Sequence, residues 1–73
     1  MMGLTKRQSE ALAFIRGFIA ENEYSPDYRE IRAGMGLTST SQVHAVVTQL
    51  VERGAIRYLP GKKRSISLVR VAA

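Results

Sequence analysis

The only histidine of the chain, His44, lies in a run of small polar side chains, with Ser39, Ser41, Gln42 and Thr48 beside it and Ala45 among them. On a helix, Ser41, Gln42, His44 and Thr48 fall on one side, and Val43, Val47 and Leu50 on the other. These groups form hydrogen bonds, and covalent chemistry would need partners beside them. As a general base, His44 would need an orienting carboxylate and a nucleophile. Its helical neighbours Thr40, Ser41, Val47 and Thr48 supply no such set, and it has no companions of metal-ligand type. The expected chemistry is recognition without a cofactor, a metal or an evident small-molecule ligand, and no enzyme activity is expected. A helix whose open face is small and uncharged is one that a DNA major groove admits. Ser41, Gln42, His44 and Ala45 are the expected base readers. Gln42 can pair with adenine N6 and N7, and Ala45 permits close approach or meets a thymine methyl group. His44 meets a base edge or a phosphate, or is simply a solvated surface residue. Gln42 has a competing task, completing a capping box with Ser39, and cannot do both at once.

Cations surround this helix. Lys62, Lys63 and Arg64 are consecutive in a turn, where they repel one another and phosphates would relieve the repulsion. Arg29 and Arg53 flank the reading unit in sequence. Tyr28, Ser39 and Thr48 can each offer a hydroxyl to the same backbone, with Ser39 at a helix N-terminus that suits an anion. The expected phosphate contacts are therefore Tyr28, Arg29, Ser39, Thr48, Arg53, Lys62, Lys63 and Arg64. Arg29 has the alternative of pairing with a helix neighbour, and the basic turn that of a solubilising loop tip.

The net charge of +5 is polarised. Up to residue 32, Lys6, Arg7, Arg16, Arg29 and Arg32 balance Glu10, Glu21, Glu23, Asp27 and Glu30. Beyond it, Arg53, Arg57, Lys62, Lys63, Arg64 and Arg70 face only Glu52. The excess lies with the reading helix, as a polyanionic partner requires.

The elements that position these groups are legible as capping and turn signals. Thr5 and Gln8 form a capping box, with Leu4 as hydrophobic staple. Ala11, Leu12, Ile15 and Ile19 mark the buried stripe of a first helix, which ends near Asn22 before Ser25-Pro26. Asp27 caps a second helix with Glu30 three residues on. Ile31 and Met35 face inward, Gly36 supplies the left-handed residue after the helix end, and Leu37 plugs the core. Ser39 caps a third helix, with Gln42 as its partner, which runs to about Arg53 and stops at Gly54. Ala55–Leu59 and Ser65–Val69 alternate as strands around the Pro60-Gly61 turn, packing Ile56, Ile66 and Leu68 against the helices. The fold expected is mainly α with a small β-hairpin: a winged helix-turn-helix of three helices plus wing. A single domain fills residues 1–73, ordered over about 4–69, with residues 70–73 as a frayed tail.

The chain has 73 residues, no cysteine and no apolar run approaching the ~20 residues of a membrane span. No disulfide or zinc-thiolate site supplements its small core. It has no signal-peptide pattern, and a cytoplasmic, nucleoid-associated protein is expected. Phe14 and Phe18 lie at or beyond the margin of the first helix's stripe. They form either a wide apolar face beneath the hairpin or chain ends, or a partner or dimer surface. Tyr24, Tyr28 and Tyr58 lack the spacing of a single-strand stacking platform.

Leu4-Thr5, Arg7-Gln8, Glu10, Ile15, Ile19, Pro26, Glu30-Ile31, Gly36, Ser39, Leu50, Gly54, Ile56 and Arg64-Ser65-Ile66 together resemble the N-terminal DNA-binding domain of the LexA repressor family. The resemblance spans roughly residues 4–68, and Ser39–His44 is similar to the Gram-positive type of reading helix. It implies a helix in the major groove of an inverted-repeat operator and a wing on the backbone or minor groove. Repressors of that family also carry a C-terminal serine–lysine self-cleavage domain that dimerises them. This chain stops just after the wing, so it is expected to be either a piece of a longer repressor or a free-standing regulator of bacterial or phage origin. The reading is a sequence-specific regulator of double-stranded DNA, a repressor that pairs on DNA by itself or through a second protein. The alternatives are a protein-interaction module on the same scaffold and an RNA- or ribosome-associated basic protein.

Overall fold

Thr5, Asp27 and Ser39 each cap a helix at the expected place in a computed structural model that describes residues 3–59, 61–62 and 64–69. Helix α1 is Lys6–Asn22, α2 is Tyr28–Met35 and α3 is Thr40–Glu52. The Thr5 hydroxyl accepts the Gln8 N–H at 3.1 Å, and Gln8 Oε1 accepts the Thr5 N–H at 3.0 Å. Asp27 and Glu30 make the same reciprocal pair, each bond 2.9 Å. At α3 only half of the expected box forms. Ser39 Oγ accepts the Gln42 N–H at 3.3 Å, but Gln42 Oε1 accepts from the backbone N–H and hydroxyl of Thr38, one residue earlier. Gly36 (φ 67°) and Gly54 (φ 75°) end α2 and α3 in the left-handed region, which glycine enters without a Cβ penalty.

Ala11, Ile15, Ile31, Val43, Val46, Val47, Leu50, Ala55, Ile56 and Ile66 form the core, and the three helices pack on one another through it. Leu12, Ile19, Met35 and Leu37 lie half-buried against its edge. Gln8 is an unexpected member of the interior. It is 5% exposed, and its Nε2 donates to Gln49 Oε1 at 2.8 Å, so one side chain caps α1 and ties it to α3.

The hairpin is shorter than the alternation implied. Strands β1 (Ile56–Arg57) and β2 (Ser67–Leu68) are antiparallel, pairing Ile56 with Leu68 and Arg57 with Ser67. Ile66 precedes the ladder and takes the buried place, while Leu68, expected in the core, is 36% exposed. The loop closes itself through Ser65, whose hydroxyl donates to Leu59 O at 2.9 Å and accepts the Leu59 N–H at 3.1 Å. Pro60 of the expected turn and the expected tail, 70–73, lie outside the described residues. Three helices and this antiparallel wing make a winged helix-turn-helix.

Candidate nucleic-acid interface

Helix α3 buries Val43, Val46, Val47 and Leu50 and leaves Ser41, Gln42, His44, Ala45 and Thr48 exposed. At about 100° per residue, Ser41, His44, Ala45 and Thr48 form one continuous stripe, with Gln42 about 100° around from Ser41 at its margin. No charged side chain interrupts that stripe before Glu52. The turn before it is fixed from both sides. Arg32 Nη2 donates to Thr38 O at 3.0 Å, and the Thr38 N–H donates to Gln42 Oε1 at 2.9 Å. The oxygen that Gln42 would need for a bidentate adenine contact is thereby engaged within the fold.

His44 faces α2. Its Nδ1 lies 3.4 Å from the Tyr28 hydroxyl, and the two rings are 6.3 Å apart. Tyr28 in turn stacks on Tyr58 at 5.7 Å and 23°. These tyrosines thus pair with each other, giving a ring face to the wing rather than to a base. Burial first, then the neighbouring Tyr58 hydroxyl, raises the Tyr28 pKa further above neutrality, and the phenol is a neutral donor at pH 7 with or without that shift. When that phenol donates to Nδ1, the imidazole proton sits on Nε2 and points to a partner outside the protein.

Between the start of α2, the start of α3 and the wing lies an open cleft of about 350 Å³. Tyr28, Arg29, Thr40, Tyr58 and Lys62 line it, with Asp27 and Arg64 at one side. Arg29 and Lys62 are exposed and make no ion pair among the described residues. Ser39 is half-buried, with its hydroxyl spent on the helix cap. Arg53 is exposed at the other end of α3, roughly 20 Å along the axis, too far to share a phosphate with the cleft. Lys63 lies outside the described residues.

Arg64 is placed differently from the expectation of a phosphate contact. Its Nη1 donates to Glu30 Oε1 at 2.7 Å and to Ser25 O at 3.0 Å, and its Nη2 donates to Glu30 Oε2 at 3.3 Å. Its guanidinium lies 4.5 Å from the Tyr24 ring centroid. The expected cluster of three free cations at the wing tip therefore loses one to an internal ion pair. Sequence spacing could not reveal this, because the partners are more than thirty positions apart.

Phe14 and Phe18 are also partly used inside the fold. The half-buried Phe14 ring fills the space over Gly34 of α2. Phe18 is half-buried between Phe14 at 6.0 Å and Tyr24 at 5.7 Å. Sequence reasoning missed Thr40 and Tyr58 as cleft residues. Thr40 was signalled as the first residue after the Ser39 cap, whereas the place of Tyr58 depends on the hairpin's course. Among the described residues, no group of three or more His, Asp or Glu side chains could hold a metal ion. No helix among them is long and apolar enough to cross a membrane.

A capped, uncharged helix face beside a wing is the arrangement that the sequence resemblance implied. Residues 1–65 match the family described as LexA DNA binding domain. The chain belongs to that family. It is 48% identical over 66 residues to a LexA repressor of Caldicellulosiruptor saccharolyticus, a match covering 90% of this chain and 33% of that protein. It is 44% identical over 69 residues to LexA repressors of Staphylococcus epidermidis and Staphylococcus aureus, covering 94% of this chain and 34% and 33% of theirs. The chain thus spans about a third of the length of these relatives. The matched LexA region is a DNA-binding one and not a catalytic one.

Proposed function

We propose that this chain is the reading module of a transcriptional repressor and binds an inverted-repeat operator in double-stranded DNA. The observation that carries the proposal is the uncharged exposed stripe of α3, with Arg29 and Lys62 beside its N-terminal end. Ser41, His44 and Ala45 enter the major groove and read base edges, and Gln42 stands at the margin of that contact. Arg29 and Lys62 hold phosphates near the cleft, joined by Ser39 through the hydroxyl proton that its cap leaves free and by Tyr28 when its own proton is not given to His44. Thr48 meets the backbone farther along α3, Arg53 at its far end, and Lys63 extends the wing contact. Repression follows from occupying a site that overlaps a promoter. The setting is the bacterial or phage-infected cytoplasm, where duplex DNA is accessible. Selecting bound sequences from a random duplex pool tests the proposal. Two copies of one half-site in inverted orientation are the expected product, and an unenriched pool would overturn it.

A further inference from the structure

Arg64 combines three unusual features. It is a non-glycine residue at φ 54°, in the left-handed region that side chains rarely adopt. Both terminal nitrogens of its guanidinium are engaged with Glu30, 34 positions away. It is also the basic wing-tip residue that, from sequence, should have been free for phosphate.

Glu30 is equally committed. Its Oε1 accepts the Asp27 N–H at 2.9 Å as half of the α2 capping box and accepts from Arg64 at 2.7 Å. The Arg64 hydrogen bond first, and then the Asp27 backbone amide, lower the Glu30 pKa, so the pair is charged at neutral pH. Asp27 Oδ2 lies 4.0 Å from Nη2, and Tyr24 lies beneath the guanidinium. Within itself the wing is held by a two-residue ladder and the Ser65–Leu59 bonds. Those bonds shape the hairpin without setting its angle to α2. Among the described residues, the wing side chains that reach the helices are buried Ile56 and Ile66, which are non-directional, Tyr58, which stacks on Tyr28 of α2, and Arg64, which adds directional hydrogen bonds.

We infer that Arg64 and Glu30 form a latch that docks the wing on the start of α2, holding Lys62 and Arg29 together beside the α3 reading face. In this role Arg64 is a positioning residue, with its charge matched by Glu30 and not offered to DNA. The inference rests on the DNA-binding reading above.

The two roles differ in the sign of one experiment. Near DNA, deleting an anion strengthens binding if only the field matters. If the latch matters, deleting Glu30's charge releases the wing and weakens binding. The 73-residue chain and its Glu30→Gln, Arg64→Gln and Arg64→Lys variants would be titrated with a short mixed-sequence DNA duplex across a salt series. Backbone amide spectra would be recorded for each.

The latch predicts that Glu30→Gln and Arg64→Gln each weaken binding by about twofold to thirtyfold, with the same change in the log–log salt slope, because both release the same Lys62 contact. Arg64→Lys, which keeps the charge and loses the planar fork, should be weakened similarly. Amide shifts should change in the wing and at Asp27–Glu30, while those of Val43–Leu50 stay in place. Three results would overturn the latch: tighter binding by Glu30→Gln, full binding by Arg64→Lys, or a slope lowered by about 0.9 in Arg64→Gln but not in Glu30→Gln, the signature of a phosphate held by Arg64 itself. Loss of the Val43–Leu50 shifts would make the pair a folding element and also overturn it. A parent chain that fails to bind any duplex would overturn the DNA-binding reading itself, a result distinct from all of these.

Discussion

His44 and Gln42 stand two residues apart with different freedom. The outer imidazole nitrogen of His44 has no partner among the described residues, whereas Gln42 Oε1 is held by Thr38. Their alanine variants should therefore separate. His44→Ala should lose about 1–3 kcal/mol on the selected site and much less on random duplex, if it holds a base edge. Gln42→Ala should weaken both duplexes alike and lower stability by roughly 0.5–1 kcal/mol, as a lost cap does. Anisotropy titrations on both duplexes, with a thermal melt of each variant, check the pair. A site-selective loss for Gln42→Ala would mean that the side chain leaves Thr38 to reach adenine.

Among the elements, the α1–α2 contact turns on a glycine. Gly34 lies inside α2, where alanine ordinarily gains about 1 kcal/mol through helix propensity. A Cβ there would fall within the Phe14 ring, 2.9 Å from its Cδ1 and closer still to its outer carbons. Gly34→Ala should therefore destabilise the parent by about 1–3 kcal/mol by overpacking. In a Phe14→Ala background the same change should become stabilising, because the obstructing ring is gone. Denaturant melts of the four proteins measure the change of sign, and its absence would show that Phe14 moves aside freely. The contact also marks where sequence reading stops. Helix starts were legible because each cap and its partner are three residues apart, as with Thr5 and Gln8 or Asp27 and Glu30. The apolar face of α3 was legible through its period. Contacts between distant segments were not: Phe14 over Gly34, Gln8 on Gln49 and Arg64 on Glu30 depend on packing that no local spacing encodes. The hairpin's existence was readable, but its length was not, because Ile66 and Leu68 have the same pattern and only Ile66 is buried. At the candidate interface, the exposure of Ser41, His44, Ala45 and Thr48 follows from the period of α3, whereas the pairing of Arg64 with Glu30 has no local signal.

At the scale of the whole molecule, one module offers a single reading helix, and a lone half-site of four or five base pairs would be poorly selective in a genome. Dimers of this motif span half-sites about 34–36 Å apart, or multiples of that distance. With Phe14 covering Gly34 and Phe18 lodged between two rings, the α1 aromatic patch is too small for an interface of standard size. The free 73-residue chain should therefore sediment as a monomer and load two copies on a full site. Equal affinity per copy for half-site and full site would exclude coupling between the copies, and a stable free dimer would contradict the monomer. The turn that precedes the reading helix bears on the speed of that encounter. Arg32, Thr38 and Gln42 already hold it closed, so the turn does not have to be ordered when it meets DNA. Immobilising each residue of a loose loop would cost about 1–2 kcal/mol in backbone entropy. Here most of that cost falls on folding, and the module meets each candidate sequence with its recognition surface already in shape, so it can reject a wrong one without first rearranging.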